Sequence, residues 1–302
     1  MNGIIIVNKP TGITSFDVVS RIRRLYQIKK VGHTGTLDPD ASGVLPLCIG
    51  KATKVIEYLM DEDKAYRVGL LLGAATDTQD ATGSIILEKP VLVSDEEIET
   101  AINSFMGDQE QIPPMYSAVR IKGKRLYELA RRGIEVERSP RPITIYKIDI
   151  LNIERKSDKV HVTFEVECSK GTYVRTLCHD IGQLLGCGGH MNSLIRTRSG
   201  PFMLDDSYTL DDLEEIKSKM KLETALISMD KALLKMPSVY ISHNNALRLK
   251  NGLSVPLGGL TADFIRVYHE SGVFLAIGKT IQEDAHLRLR THKWIGNDSI
   301  GL

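Results

Sequence analysis

The stretch Gly32-His33-Thr34-Gly35-Thr36-Leu37-Asp38-Pro39-Asp40-Ala41-Ser42-Gly43-Val44-Leu45-Pro46 leaves the backbone few ways to run. Pro39 fixes its own φ and pushes Asp38 toward an extended or turn conformation. Gly35 and Gly43 open backbone geometry closed to other residues and let another molecule approach closely. Asp38 is therefore held stiffly at a loop apex, outside ordinary helix or strand duty. With His33 upstream, such a carboxylate can serve as nucleophile, general base or metal ligand. As an isolated dipeptide, Asp-Pro fits equally an Asx-type turn capping a helix that begins at Pro39.

Around this loop, helical and strand-like segments interleave. Ile4–Val7 reads as a short buried strand from its length and β-branching. A helix signal starts at Thr14/Ser15, with Val18, Val19, Ile22 and Leu25 on one side and arginines on the other. Tyr66–Gly73 reads as a strand with Tyr66, Val68, Leu70 and Leu72 on one face. Ser94 and Glu97 make a capping box whose helix is expected to stop at Gly107, and Lys124–Arg132 reads as a helix closed by Gly133. Val160, Val162, Phe164, Val166 and Cys168 alternate with polar residues, the strongest strand pattern in the chain. After Gly171, the residues Val174, Leu177, Cys178, Ile181 and Leu184/Leu185 keep helical spacing up to Gly186. Strict βαβ order is missing, so an α+β fold with a mixed sheet and flanking helices is expected. A second capping box, Thr209 to Asp212, opens an acidic helical region expected to reach about Met236, ended by Pro237. Beyond it, short β-like pieces (Val239–Ile241, Phe264–Tyr268, Val273–Ile277 and Leu287–Arg290) lie between Gly and Pro turns, which argues for a small, separate β-rich module.

A chain of 302 residues suffices for one large domain plus a small one. No apolar run approaches the ~20 residues needed to cross a bilayer, and the N-terminus lacks a signal-peptide pattern, so a cytoplasmic protein is expected. A net charge of +1 does not advertise a nucleic-acid partner, so distribution matters more than the sum. Basic residues gather at Arg21/Arg23/Arg24, Lys29/Lys30, Lys122/Lys124/Arg125, Arg131/Arg132 and Arg196/Arg198, and acidic ones within Asp95–Glu99 and Asp205–Glu215. One basic face with an acidic back gives such a total, as does charge solvated on helix faces. Cys48, Cys168, Cys178 and Cys187 show no Cys-x-x-Cys pair. Zinc is conceivable from Cys178, His179, Cys187 and His190, but the spacing fits no finger or ribbon; buried reduced thiols and no metal are expected. Neither a Walker loop nor a dinucleotide fingerprint after a strand is present.

Several further motifs occur in a telling order: Asn8-Lys9-Pro10-Thr11-Gly12-Ile13-Thr14-Ser15 before the Asp38 loop, Gly50-Lys51-Ala52-Thr53-Lys54 after it, then Lys64-Ala65-Tyr66-Arg67-Val68 and Gly73-Ala74-Ala75-Thr76-Asp77-Thr78-Gln79-Asp80. Pro113-Pro114-Met115-Tyr116-Ser117-Ala118-Val119-Arg120, Gly123-Lys124-Arg125-Leu126-Tyr127-Glu128 and Cys168-Ser169-Lys170-Gly171-Thr172-Tyr173-Val174-Arg175-Thr176-Leu177 follow. In kind and order this series resembles the TruB family of tRNA pseudouridine synthases over about the first two hundred residues.

The resemblance implies a pseudouridine-synthase fold over residues 1–235, an RNA-clasping insertion at about 108–140, and a PUA-like RNA-binding domain over 236–302. It makes Asp38 the catalytic carboxylate, with Arg175 beside it as the cation that keeps it ionised. A guanidinium can hold a carboxylate through two parallel hydrogen bonds. Tyr66 matches the tyrosine that stacks on the flipped uracil, Tyr173 a second pocket tyrosine, Leu194 an apolar wall, and His33 a histidine contacting the extruded nucleotide. Lys9, Lys51, Lys54, Lys124, Arg125, Arg131 and Arg132 are candidate phosphate contacts, which set affinity and salt dependence more than sequence choice.

The implied activity is isomerisation of uridine to pseudouridine at position 55 in the T loop of tRNA, by base flipping, in a monomer without a cofactor. The reaction breaks an N-glycosidic bond and rejoins the base through carbon, so it needs no redox partner or external energy. Asp38 can act by nucleophilic attack on base or ribose, or by assisting a glycal-like intermediate. A guide-RNA-dependent relative shares the catalytic motifs, but the insertion around Pro113–Arg132 favours direct tRNA recognition. An RNA-binding or RNA-folding protein with a vestigial pocket sits badly with the presence of Asp38, Tyr66 and Arg175 together. Glycoside hydrolysis wants two cooperating carboxylates, and Asp40 is too close to Asp38 on one loop to supply the second.

Overall fold

A computed structural model describes residues 1–121, 123–219, 221–283 and 286–296 of the 302. Lys122 and the last residues of the expected C-terminal domain, 297–302, lie outside the described residues. The chain opens with β1 (Gly3–Lys9), α1 (Ser15–Tyr26), β2 (Val31–His33) and β3 (Ser42–Ile49). Helix α1 begins where its capping box allows: Thr14 Oγ1 accepts from Asp17 N at 3.1 Å while Asp17 Oδ2 accepts from Thr14 N at 2.8 Å. It buries Val18, Val19, Ile22 and Tyr26, the aliphatic ones each worth about 1.5–3 kcal/mol relative to exposure. Leu25 sits only partly buried at the edge of that face.

The middle of the chain supplies α2 (Ile56–Met60), β4 (Lys64–Leu72), the hairpin β5 (Ala74–Thr76) and β6 (Ile85–Glu88), α3 (Asp95–Asn103) and β7 (Gly107–Gln111). Next come the small hairpin β8 (Arg120–Ile121) and β9 (Lys124–Arg125), α4 (Leu126–Ala130), β10 (Arg141–Lys156), β11 (Lys159–Cys168), α5 (Val174–Leu184), β12 (Gly189–Ser199), β13 (Phe202–Met203) and α6 (Leu210–Ser218). Their principal sheet runs β1-β3-β12-β4-β11-β10-β7, with β2 paired to β3 and β13 to β12. Every pairing is antiparallel except β3 with β12, which touch in parallel only at Ser42 and Gly43. Strand β1 covers one edge of β3 along its length, so β2 and β12 share the other edge and part company there. The Asp38 loop bridges that fork. Gly43 is obligatory at the join, because its φ is +102° and a Cβ there would lie 2.3 Å from the Arg196 carbonyl oxygen.

Period-2 alternation turns Val160, Val162, Phe164, Val166 and Cys168 of β11 toward a core shared with Val68, Leu70, Leu72, Val174, Leu177 and Ile181. The polar set faces out and forms ion pairs, Arg67 with Glu165 at 2.9 Å and Arg198 with Glu167 at 2.8 Å. Helix α5 lies tight on β12 because Gly182 lacks a side chain; a Cβ there would come within 2.0 Å of Gly189 N. On the other half of the sheet, α1 and α6 cover Ile5, Val7, Leu45, Leu47 and Ile49.

Three helices differ from the sequence reading. The helix opened by Ser94 ends at Asn103, and Gly107 instead starts β7 with φ +100°. Of Lys124–Arg132 only Leu126–Ala130 is helical, since Lys124 and Arg125 fold back across Gly123 to pair with Arg120 and Ile121. The acidic helix stops at Ser218 and gives way to 3-10 turns, because the chain must bridge to β1: Ile4 N donates to Ile227 O at 2.8 Å and Ile227 N to Ile4 O at 2.7 Å.

After Pro237 come β14 (Ser238–Ile241), α7 (His243–Lys250), β15 (Val255–Pro256), β16 (Ile265–His269), β17 (Phe274–Glu283) and β18 (His286–Trp294). They form a five-stranded sheet, β14-β16-β17-β18-β15, around Ile265, Val267, Leu275 and Leu289. The β-rich module read from the sequence is there, with α7 as an unforeseen addition. It is joined to the larger unit, since Ile277 and Ile295 pack with Ile4, Ile6, Val44 and Cys48. The four cysteines are buried and free, and no cluster of three or more His, Cys, Asp or Glu among the described residues could hold a metal. No helix of the described residues is long and apolar enough to cross a membrane.

Candidate active site

No helix begins at Pro39. Asp38–Ala41 is a tight turn closed by Ala41 N donating to Asp38 O at 3.1 Å, with Pro39 and Asp40 at its apex and Asp38 leading into it. Three anchors hold the loop. Ser15, buried at the start of α1, accepts from Leu37 N at 2.9 Å and donates to Leu37 O at 3.0 Å. Lys9 Nζ donates to Pro10 O, Ile13 O and Pro39 O at 2.8, 2.7 and 2.9 Å. Arg196 donates to Val44 O at 2.7 Å and Gly35 O at 3.1 Å.

Lys9 therefore corrects the sequence reading. Its side chain is fully buried and its three ammonium protons are spent on carbonyls, so it braces the loop instead of meeting a phosphate. Burial pulls its pKa down while Asp40 and Asp38 oppose that shift. Lys51 and Lys54 are only half-buried, and their Nζ groups each donate to the C-terminal module, to Gly296 O at 2.8 Å and Trp294 O at 2.6 Å, tying it to the larger unit. Lys124, Arg131 and Arg132 stay exposed, and the guanidinium groups of Arg125 and Arg131 sit 5.8 and 5.5 Å from the Tyr127 ring centroid.

Arg175, in the first turn of α5, does reach Asp38: Nε lies 3.1 Å from Asp38 Oδ2. The expected parallel pair of bonds is not formed. The guanidinium is shared instead, with Nη1 3.3 Å from Asp80 Oδ2 and Nη2 donating to Tyr116 O at 2.8 Å. Asp80 is a site residue that sequence reading passed over. Its Oδ1 accepts from Thr78 Oγ1 at 2.7 Å, Thr82 N at 3.0 Å and Thr82 Oγ1 at 2.6 Å, which fixes the carboxylate that steadies Arg175. The flanking threonines in Thr78-Gln79-Asp80-Ala81-Thr82 were the available signal.

The Arg175 side chain is 8 % exposed and that of Asp38 42 %, so the cation is walled in while the carboxylate is partly open to the surface. Burial nevertheless pushes the Asp38 carboxyl above its ordinary range; Arg175 pulls it back, Asp80 and Asp40 push it up, and Lys9 pulls it down.

Tyr66 on β4 is half-buried beside the core that holds Leu194, itself 9 % exposed. Burial pushes the Tyr66 phenol up to about 12, and the nearby Arg196 charge opposes that shift. Tyr173 caps α5 with its backbone pinned by Gln111, whose Oε1 accepts from Tyr173 N at 2.8 Å and whose Nε2 donates to Tyr173 O at 3.0 Å. His33 ends β2, and its Nδ1 accepts from Gly35 N at 3.3 Å. Burial, aided by Arg196, lowers its pKa and favours the neutral ring.

A carboxylate under a shared guanidinium, on a loop clamped to both neighbouring strands, coincides with clear kinship. Residues 23–174 match the TruB family pseudouridylate synthase (N terminal domain), and 175–234 match the tRNA pseudouridylate synthase B C-terminal domain. The chain belongs to the TruB family. A protein named tRNA pseudouridine synthase B from Clostridium perfringens is 46% identical over 286 residues, covering 92% of this chain and 95% of that one. Its namesake from Alkaliphilus oremlandii is 50% identical over 252 residues, covering 83% and 82%. Among solved structures, a Cbf5-Nop10-Gar1 complex matches with TM-score 0.74 and 29% identity over 97% of this chain and 85% of that chain. An H/ACA RNP bound to a substrate RNA containing 2'-deoxyuridine matches with TM-score 0.73 and 27% identity over 98% and 86%.

Two outcomes follow from this TruB-family site. In Lys9→Met the log–log salt slope of tRNA binding should equal that of the unaltered protein while the thermal midpoint falls; a phosphate ligand would instead lower the slope by about 0.7–0.9. For Arg175→Gln, the single-turnover rate should be measured against pH. A catalytic Asp38 that works in its ionised form gives a rate present above its pKa and lost as pH falls through it. Removing the cation that lowers that pKa should move the acid limb to higher pH. A limb that stays put or moves down would separate Arg175 from the ionisation of Asp38.

Proposed function

We propose that this protein converts uridine to pseudouridine at position 55 in the T loop of tRNA, with the Asp38 carboxylate acting on a uracil flipped out of its stack. The observation that carries the reading is the contact between Arg175 Nε and Asp38 Oδ2 at 3.1 Å, set in a loop that cannot relax away from it. Relatives named tRNA pseudouridine synthase B over nearly the whole chain support the reaction class and the tRNA substrate.

Asp38 engages the base or ribose as nucleophile, or supports the glycal-like route by charge and basicity; both require the ionised form. Either way the N1–C1′ bond breaks, the uracil turns, C5 bonds to C1′, and the proton on C5 leaves as N1 gains one. Tyr66 stacks on the extruded ring, and Tyr173 and Leu194 wall the pocket; a stacked base is worth about 1–3 kcal/mol. His33, neutral and at the loop entrance, contacts the displaced nucleotide. Lys124, Arg125, Arg131 and Arg132 in the 108–140 insertion meet RNA phosphates. Residues 1–235 form the catalytic unit and 236–302 a PUA-like RNA-binding module, in a cytoplasmic monomer that takes tRNA directly. A guide-dependent reading has support in the Cbf5 likeness, but the relatives at 46% and 50% identity outweigh it.

The test is tritium release from tRNA transcript labelled at uracil C5. Asp38→Asn should abolish release while leaving tRNA affinity nearly unchanged. Turnover equal to that of the unaltered protein would remove Asp38 from the chemistry.

A further inference from the structure

Arg196 is 2 % exposed, the bulkiest of the deeply buried side chains among the described residues. Its hydrogen-bond partners are backbone carbonyls, Val44 O at 2.7 Å, Gly35 O at 3.1 Å and Thr36 O at 3.5 Å, while Tyr66 is its cross-strand neighbour and interacts with its charge. The first three lie on both sides of Asp38, at the entry and exit of its loop. Strand β12 explains how one residue reaches so far, for it runs between β3 and β4 with Arg196 opposite Gly43 on one side and Tyr66 on the other. A β-bulge between Arg196 and Arg198 turns these two arginines apart, so that Arg198 pairs with Glu167 while Arg196 points inward.

A buried guanidinium is a costly anchor for a job that apolar packing could do, unless its several donors are needed at fixed angles. Here they are. We propose that Arg196 is a positioning residue that locks the Asp38 loop and the Tyr66 ring into one unit, holding the carboxylate in register with the base stacked on that ring. This rests on the roles given above to Asp38 and Tyr66. Arg196 acts by geometry: the groups that set the ionisation of Asp38 are Arg175, Asp80, Lys9 and Asp40 together with burial. Lysine at this position keeps the charge but cannot donate to both ends of the loop at once from a planar fork set against Tyr66.

The experiment compares Arg196→Lys, Tyr66→Phe and their double variant by thermal midpoint, tRNA affinity and single-turnover rate at saturating tRNA. Arg196→Lys should stay folded, bind tRNA as before and lose about a hundredfold in rate, the scale of a misplacement near 1 Å. The double variant should lose less than the product of the single effects, because both changes break one link. A full rate in Arg196→Lys, a loss of tRNA binding that accounts for the whole effect, or independent losses in the double variant would overturn the proposal. Should Arg196→Lys fail to fold, Tyr66→Phe probes the same link from its other end. Hydrogen–deuterium exchange across residues 34–44 should then quicken, and unchanged exchange would overturn it. Asp38→Asn, run alongside, separates the two levels: full turnover there sinks the site reading, whereas no turnover there with a full rate in Arg196→Lys sinks this inference alone.

Discussion

The guanidinium of Arg175 serves two carboxylates and a carbonyl at once, and the rest of the site is arranged around that division. Its Nε faces Asp38, its Nη1 faces Asp80, and its Nη2 is held by Tyr116 O from the insertion. Burial pushes the Asp38 carboxyl above its ordinary range, and Asp80 and Asp40 add to that push. Arg175 opposes that tendency, and Asp80, fixed by two threonines, keeps Arg175 aimed. The link to Tyr116 also ties the segment around residue 116 to this polar network.

The sheet explains why such distant residues meet. Strand β12 joins the two halves through a parallel contact of only two residues with β3, and the Asp38 loop crosses the gap that this short contact leaves. Lys9 and Arg196 fill the space beneath the loop with cations whose protons are donated to carbonyls. Stiffness there suits the role proposed for Asp38, since a reacting group must sit within a fraction of an ångström of its place for proximity to lower the barrier.

Much of this was legible in the chain. Proline and glycines around Asp38 announced a constrained loop, the helix signal at Thr14/Ser15 and the capping boxes at Ser94 and Thr209 marked true helix starts, and the alternation from Val160 to Cys168 drew a central strand. Helix ends were less legible, because tertiary demands such as the Ile4–Ile227 bridge override local propensity. The division of Arg175 could not be read, since Asp80 and Arg175 lie 95 positions apart and no local pattern joins them. Lys9 misled because lysine is nearly always solvated, and its carbonyl partner at Pro39 comes from a fold contact. Arg196 and Arg198 looked like one basic cluster; only the bulge between them sends one inward.

The account stands on an ionised Asp38 facing an extruded uracil. Its most direct test is a crystal structure of Asp38→Asn bound to a T stem-loop RNA. The predicted result has the target uracil out of its stack, lying on Tyr66, with its reacting atoms about 3–3.5 Å from the side chain at position 38. A target base still stacked in its loop, or lodged in a pocket remote from position 38, would contradict it.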